Sequence, residues 1–127
     1  SLGGNFSYDI NGQFYSTTTI YGYIKNKSCQ ISYETLLAIM NSSLCWWFLK
    51  NTGTVLANGY FRYKPTYLKP FPLPIISQKK DKEIKDLVKK LQQEDDIMVR
   101  KHFENDINQK IYDLYNLTTK DINIVLS

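Results

Sequence analysis

Apolar and polar residues alternate near the start of the chain and again near its middle. Residues 4–27 and 54–63 each hold an Asn-Gly turn signal beside β-branched and aromatic residues. Alternation bounded by such turns is typical of paired antiparallel strands. We therefore predict a small, mostly antiparallel sheet within residues 4–76. Residues 71–76 are expected to form an edge strand or a strap, because their prolines cannot donate hydrogen bonds to a ladder.

A spacing of three and four residues replaces the alternation between residues 32 and 50. Ser32 is a favoured N-cap residue, and Glu34 follows in the first turn, where a carboxylate complements the helix dipole. The spacing predicts one helix that packs on the sheet. Its two tryptophans are expected to pack in the core rather than stack on bases. The apolar face consists of Tyr33, Leu36, Leu37, Met40, Leu44, Trp47 and Phe48.

From residue 79 onward the pattern is helical. Apolar stripes predict helices at about 79–94 and 96–115, and these could be continuous because neither Gly nor Pro separates them. Thr118, followed by Asp121 three residues later, predicts a capping box and a last short helix. The expected fold class is therefore α+β: a small sheet packed on a helix in residues 1–78, followed by a C-terminal helical segment in residues 79–127.

The charge differs between these two parts of the 127-residue chain. The net charge is +4; residues 1–78 hold six basic and two acidic side chains, whereas residues 79–127 hold ten of each. The first part also holds fifteen of the eighteen aromatic residues. Cations beside flat rings suit a nucleic-acid surface. We therefore expect the interaction surface in residues 1–78 and a solvated, supporting role for the helical segment.

The segment from Asn51 to Pro74 interleaves cations with aromatic rings. By composition alone, it also fits an ordinary hairpin whose charges face water. Its sequence, however, resembles the TaqI-like C-terminal specificity domain of bacterial adenine-specific DNA methyltransferases and fused restriction–methylation enzymes. The resemblance is carried by residues 40–44 and 47–50 together with Asn51–Pro74, and it continues in residues 107–122. There, Asn116 stands where the family usually has Gly, which fits a left-handed position that ends a helix.

This resemblance implies a target-recognition domain of a restriction–modification protein. Such a domain reads double-stranded DNA for a catalytic methyltransferase domain in the same parent chain. Loops and sheet edges are then expected to contact DNA, with Arg62 and Asn58 reading guanine and adenine and the lysines binding phosphates. The full set of candidate DNA contacts is Lys25, Lys27, Thr52, Thr54, Asn58, Tyr60, Arg62, Lys64 and Lys69.

Catalytic motifs are missing from the sequence. It has no Asn/Asp-Pro-Pro-Tyr/Phe motif, no glycine-rich methyl-donor motif and no nuclease arrangement. We therefore expect no enzyme activity and no cofactor in this chain, with S-adenosylmethionine serving the parent enzyme, which could also cleave DNA. Cys29, Cys45 and His102 lack metal-ligand spacing, so no metal is expected. Free thiols and the lack of a long apolar run indicate a cytoplasmic protein without a membrane span.

Two other functions fit parts of the pattern. The chain could be half of a type I restriction specificity subunit, with the trailing helices as a spacer that packs on another subunit. Alternatively, it could be a protein-interaction module whose working surface is the helical stretch 79–115. The second alternative predicts a contiguous exposed apolar stripe along those helices.

Overall fold

The computed structural model describes residues 29–52 and 70–127. It contains five helices in these ranges, and they account for 73% of the described residues. They are α1 (Tyr33–Met40), α2 (Ser43–Thr52), α3 (Gln78–Gln93), α4 (Ile97–Leu114) and α5 (Thr119–Leu126). Helices α3 and α4 form a hairpin, α1 packs on both of them, and α2 packs on α5.

The predicted α+β fold class is wrong, because the described residues contain helices and irregular segments but no strand or sheet. Residues 71–76, predicted as an edge strand or a strap, have no regular secondary structure and form a strap. Two prolines remove backbone donors there, and the side chains of Phe71 and Ile76 pack against the helices, whereas those of Leu73 and Ile75 are exposed. The strands predicted in residues 4–27 and 54–63 lie outside the described residues.

The single helix predicted over residues 32–50 is divided at Asn41 and Ser42. The Ser42 hydroxyl donates to the Ile39 carbonyl at 2.6 Å and accepts from the Cys45 amide at 3.2 Å. The Ser42 hydroxyl therefore satisfies a carbonyl at the end of α1 and also caps the start of α2. The predicted N-cap at Ser32 is confirmed, since its hydroxyl accepts from the Thr35 amide at 3.2 Å.

Helices α3 and α4 are separate, and residues 94–96 connect them. A carboxylate oxygen of Asp96 accepts from the amides of Met98 and Val99, which starts α4. Arg100 Nη1 donates to the carbonyls of Leu91 and Glu94, each at 2.7 Å. These bonds satisfy carbonyls at the end of α3 without Gly or Pro, which explains how the two predicted helices become a hairpin.

The end of α4 and the start of α5 have the capping features that the sequence predicts. Asn116 has a φ of 55°, which confirms the left-handed position. The amides of Asn116 and Leu117 donate to the carbonyls of Asp113 and Tyr112, a Schellman arrangement that ends α4. The predicted capping box at α5 is confirmed: Thr118 Oγ1 accepts from the Asp121 amide, and the Asp121 carboxylate accepts from the Thr118 amide.

Two apolar clusters hold the described helices together. The first joins α1 to the hairpin and comprises Ala38, Ile39, Ile84, Val88, Ile107 and Ile111. The second joins α2, α4 and α5 around Leu44, Tyr112 and Val125. Phe71 and Tyr115 pack against both clusters, so the strap ties the two together. Each fully buried isoleucine contributes roughly 1.5–3 kcal/mol through burial.

Candidate nucleic-acid interface

Segment 53–69 carries six of the nine candidate contacts, and the described residues fix the chain on both sides of it. On the upstream side, side chains close the last turn of α2. Asn51 Nδ2 donates to the Trp47 carbonyl at 2.7 Å, and Thr52 Oγ1 donates to the Phe48 carbonyl at 2.8 Å. The helix therefore stays regular up to Thr52.

On the downstream side, Phe71 packs against the same helix. Its ring centroid lies 5.1 Å from that of Phe48 in an edge-to-face arrangement and 5.8 Å from that of Tyr115. Such pairs add about 0.5–1.5 kcal/mol to the effect of burial. The Tyr115 hydroxyl also donates to the Pro72 carbonyl at 2.7 Å. We call Phe48, Phe71 and Tyr115 the aromatic anchor, because they bring together the chain before and after segment 53–69.

The buried thiol of Cys45 and the half-buried hydroxyl of Tyr115 both remain neutral at physiological pH. Burial raises the pKa of Cys45 to about 11, so its thiol stays protonated and unreactive. Burial, and secondarily the charge that Cys45 would carry, also raises the pKa of Tyr115, so its hydroxyl remains a donor to the Pro72 carbonyl. Both cysteines are free, as predicted. The anchor is therefore a structural rather than a chemical site.

Among the nine candidate DNA contacts, only Thr52 is among the described residues. It is exposed at the end of α2, although its hydroxyl proton is engaged by the Phe48 carbonyl. The hydroxyl oxygen can still accept a hydrogen bond. The other eight candidates lie outside the described residues, so their roles stay predictions: Lys25, Lys27, Thr54, Asn58, Tyr60, Arg62, Lys64 and Lys69.

The tryptophans of α2 have different surroundings. Trp47 packs beside Leu44 in the second apolar cluster, which agrees with its predicted core role. Trp46 is half-buried, and Lys50 Nζ lies 5.7 Å from the centroid of its ring. That distance permits a cation–π contact. The last turns of α2 therefore place one lysine over an indole next to the exposed Asn51 and Thr52.

Helix α3 carries an excess of basic residues that the summed charge of residues 79–127 does not reveal. This helix carries six lysines and three acidic residues, while the ten acidic and ten basic residues counted together over 79–127 give zero. The balancing acids lie in the 94–96 connection, since α4 carries three acidic and three basic residues. A count made for each predicted helix, rather than for the whole segment, would have found this separation.

Exposed large apolar side chains do not form a stripe along the described hairpin. The apolar faces of α3 and α4 are buried against α1. Ile97, Met98 and Val99 are exposed in the first turn of α4, at one end of the hairpin. The contiguous stripe that the protein-interaction alternative predicts is therefore not found among the described helices.

The described residues contain neither a cluster of metal ligands nor a helix able to span a membrane. No three His, Cys, Asp or Glu side chains come together there as a possible metal site. None of the described helices is long and apolar enough to cross a membrane.

Comparison with known proteins gives one match. The family described as the TaqI-like C-terminal specificity domain matches residues 3–73. The match covers more than half of the 127 residues and ends within the strap, so it does not include residues 107–122, to which the resemblance was predicted to extend. No curated protein and no solved structure gave a significant match.

Proposed function

Because the chain belongs to the family of TaqI-like C-terminal specificity domains, we propose that it recognises a specific sequence in double-stranded DNA and performs no catalysis itself. The observation that carries this proposal is the family match over residues 3–73, which contains all nine candidate DNA contacts. Arg62 would read guanine and Asn58 adenine, since their side chains suit bidentate contacts to those bases in the major groove. The candidate lysines would bind phosphates and fix the register on the duplex.

In this recognition role, the described helices would hold the chain on both sides of segment 53–69. Thr52 precedes segment 53–69, and Phe71 follows it closely and packs on Phe48 of α2. Base readout requires side chains on a backbone whose position is fixed. The aromatic anchor would provide that fixed base for the six candidate contacts in segment 53–69.

At the level of the parent protein, we propose an adenine-specific DNA methyltransferase of a bacterial restriction–modification system, possessing a catalytic domain in the same chain. S-adenosylmethionine would bind that catalytic domain and supply the methyl group. Enzymes that modify a base inside a duplex flip it out of the stack, and sequence recognition by a separate domain tells them which base to flip. Such an enzyme works in the cytoplasm. The parent protein could also contain a nuclease domain.

Methyl transfer to genomic DNA tests this proposal directly. The full-length protein is incubated with S-adenosylmethionine and unmodified bacterial DNA, and the methylated adenines are mapped by sequencing. We expect one short target sequence. Arg62→Ala and Asn58→Ala should each lower methylation at that target by roughly tenfold or more, because a good bidentate base contact contributes about 1–3 kcal/mol of discrimination.

The matched control is Lys101→Ala, which removes an exposed cation from α4, far along the chain from the family match. It should leave both the target sequence and the extent of methylation unchanged. Methylation at the same target and to the same extent by the Arg62 and Asn58 variants would contradict their assigned roles. A full-length protein that transfers no methyl group would contradict the proposed parent enzyme.

A further inference from the structure

Helix α3 concentrates positive charge on its exposed side. Its six lysines are Lys79, Lys80, Lys82, Lys85, Lys89 and Lys90, and its three acids are Asp81, Glu83 and Asp86. The helix begins five residues after the end of the family match at residue 73. Its lysines therefore lie outside the family match and are not among the nine candidate DNA contacts.

Two of the three acids of α3 are engaged within the molecule. Asp81 Oδ1 accepts from the Ser32 amide at 3.2 Å and from the Ser32 hydroxyl at 2.9 Å, which joins α3 to the start of α1. Glu83 lies 3.5 Å from Lys110 of α4. Both carboxylates thus face neighbouring helices, and of the α3 acids only Asp86 remains to offset the outer lysines.

The outer lysines lie on one side of α3, away from its buried Ile84 and Val88. Lys79, Lys82 and Lys89 follow three- and seven-residue steps, which place them on one helix face, and Lys90 lies beside Lys89. All four are exposed, and none forms an ion pair with the described residues. At 1.5 Å per residue, the row from 79 to 90 is about 16 Å long.

We propose that this outer lysine face, Lys79, Lys82, Lys89 and Lys90, binds the phosphate backbone of the same DNA duplex that segment 53–69 reads. The inference rests on the proposed function. DNA is the partner that fits, because a duplex offers a dense row of negative charges along a length comparable to the lysine row. Lysine contacts a phosphate as a point charge and needs no fixed geometry. The face therefore adds affinity at every sequence alike and adds no base preference.

Salt dependence of binding separates this role from base readout. Each phosphate neutralised by a lysine contributes about 0.9 to the slope of log affinity against log salt concentration. The double variant Lys82→Gln/Lys89→Gln should therefore lower the magnitude of that slope by roughly 1.8. At 0.1 M salt it should weaken binding on the order of tenfold or more, for the recognised duplex and a scrambled duplex equally.

A matched control removes the same number of charges elsewhere. Lys101→Gln/Lys120→Gln changes two exposed lysines on α4 and α5, the second of which adjoins Asp121. Glutamine keeps the helix propensity of lysine at exposed positions, so all these variants should retain their circular dichroism and unfolding midpoint. Within α3, Asp86→Asn tests the opposite sign and should tighten binding, because it removes the negative charge that lies among the outer lysines.

The measurement is fluorescence anisotropy of the full-length protein with labelled duplexes between 0.05 and 0.3 M salt. The proposal holds if the α3 double variant lowers the slope, the α4–α5 double variant does not, and Asp86→Asn tightens binding. Equal slopes for the two double variants would overturn it while leaving the proposed recognition function intact. Binding with no sequence preference but with dependence on the α3 lysines would support the lysine face and contradict the recognition function.

Discussion

At the scale of single residues, short polar side chains at helix ends define where the described helices begin and end. Ser32 and Thr118 were predictable as N-caps, because the signal and its partner lie within three residues. Ser42 was missed, because the apolar spacing continues on both sides of it and suggests an uninterrupted helix. The bond from Ser32 to Asp81 joins residues 49 positions apart and was not predictable from local pattern.

Asp81 is expected to stabilise the fold in a pH-dependent way. Although burial raises its pKa, hydrogen bonding by Thr35 and Ser32 and the charge of Lys85 together lower it below the usual value. Because the folded pKa is lowered, the stabilisation is complete above the unfolded pKa of about 4 and is lost as pH falls through the folded value. Asp81→Ala should lower the free energy of unfolding by about 1–2 kcal/mol at pH 7.

Urea unfolding at pH 7 and at pH 3 measures this effect. The difference in the free energy of unfolding between the wild-type protein and Asp81→Ala should be smaller at pH 3 than at pH 7. Asp86→Ala is the control on the same helix, since Asp86 is exposed and makes no hydrogen bond within the described residues. Equal destabilisation by the two variants at pH 7, or a difference that does not narrow at pH 3, would contradict the role of Asp81.

At the scale of secondary-structure elements, the helix spacing predicted the two helices of the hairpin more accurately than the division between α1 and α2. The stripes predicted α3 and α4 to within a residue or two at each end. The strap at residues 71–76 had been expected as an edge strand or a strap, and the prolines favour the strap. Its packing on Phe48 and Tyr115 depends on residues far apart along the chain, which local alternation does not encode.

The strap is expected to be held by one hydrogen bond and by ring packing. Tyr115→Phe removes only the hydroxyl that donates to the Pro72 carbonyl and should cost about 1 kcal/mol. Phe71→Ala removes the ring that contacts Phe48 and Tyr115 and should cost roughly 2–4 kcal/mol. Urea denaturation followed by tryptophan fluorescence reports these losses, since both tryptophans lie on α2.

The control for the strap is Ile75→Ala, because Ile75 is fully exposed on the same segment. This variant should change the free energy of unfolding by less than about 0.5 kcal/mol. If Ile75→Ala destabilised the protein as much as Phe71→Ala, the strap would be held by contacts other than the aromatic anchor.

At the scale of the whole molecule, composition and the family match agree on residues 1–78, but composition divided the chain too simply. Residues 1–78 contain the family match, in agreement with the aromatic and basic excess of that part. The helical segment was expected to have only a supporting role, since its charges sum to zero. Those charges are unevenly distributed, with an excess of lysines on α3, an excess of acids in the 94–96 connection, and equal numbers of both signs on α4. A sum over 49 positions conceals a surface that depends on which helix face each charge occupies.

Sequence-selective DNA binding is the central claim, and selection from a random library tests it most directly. The full-length protein is mixed with duplexes carrying a randomised central region at 0.15 M salt, and the retained duplexes are sequenced over successive rounds. The account predicts enrichment of one short sequence, with specific binding at least a thousandfold tighter than binding to random duplex. Retention of duplexes without enrichment of any sequence, or no retention at all, would contradict it.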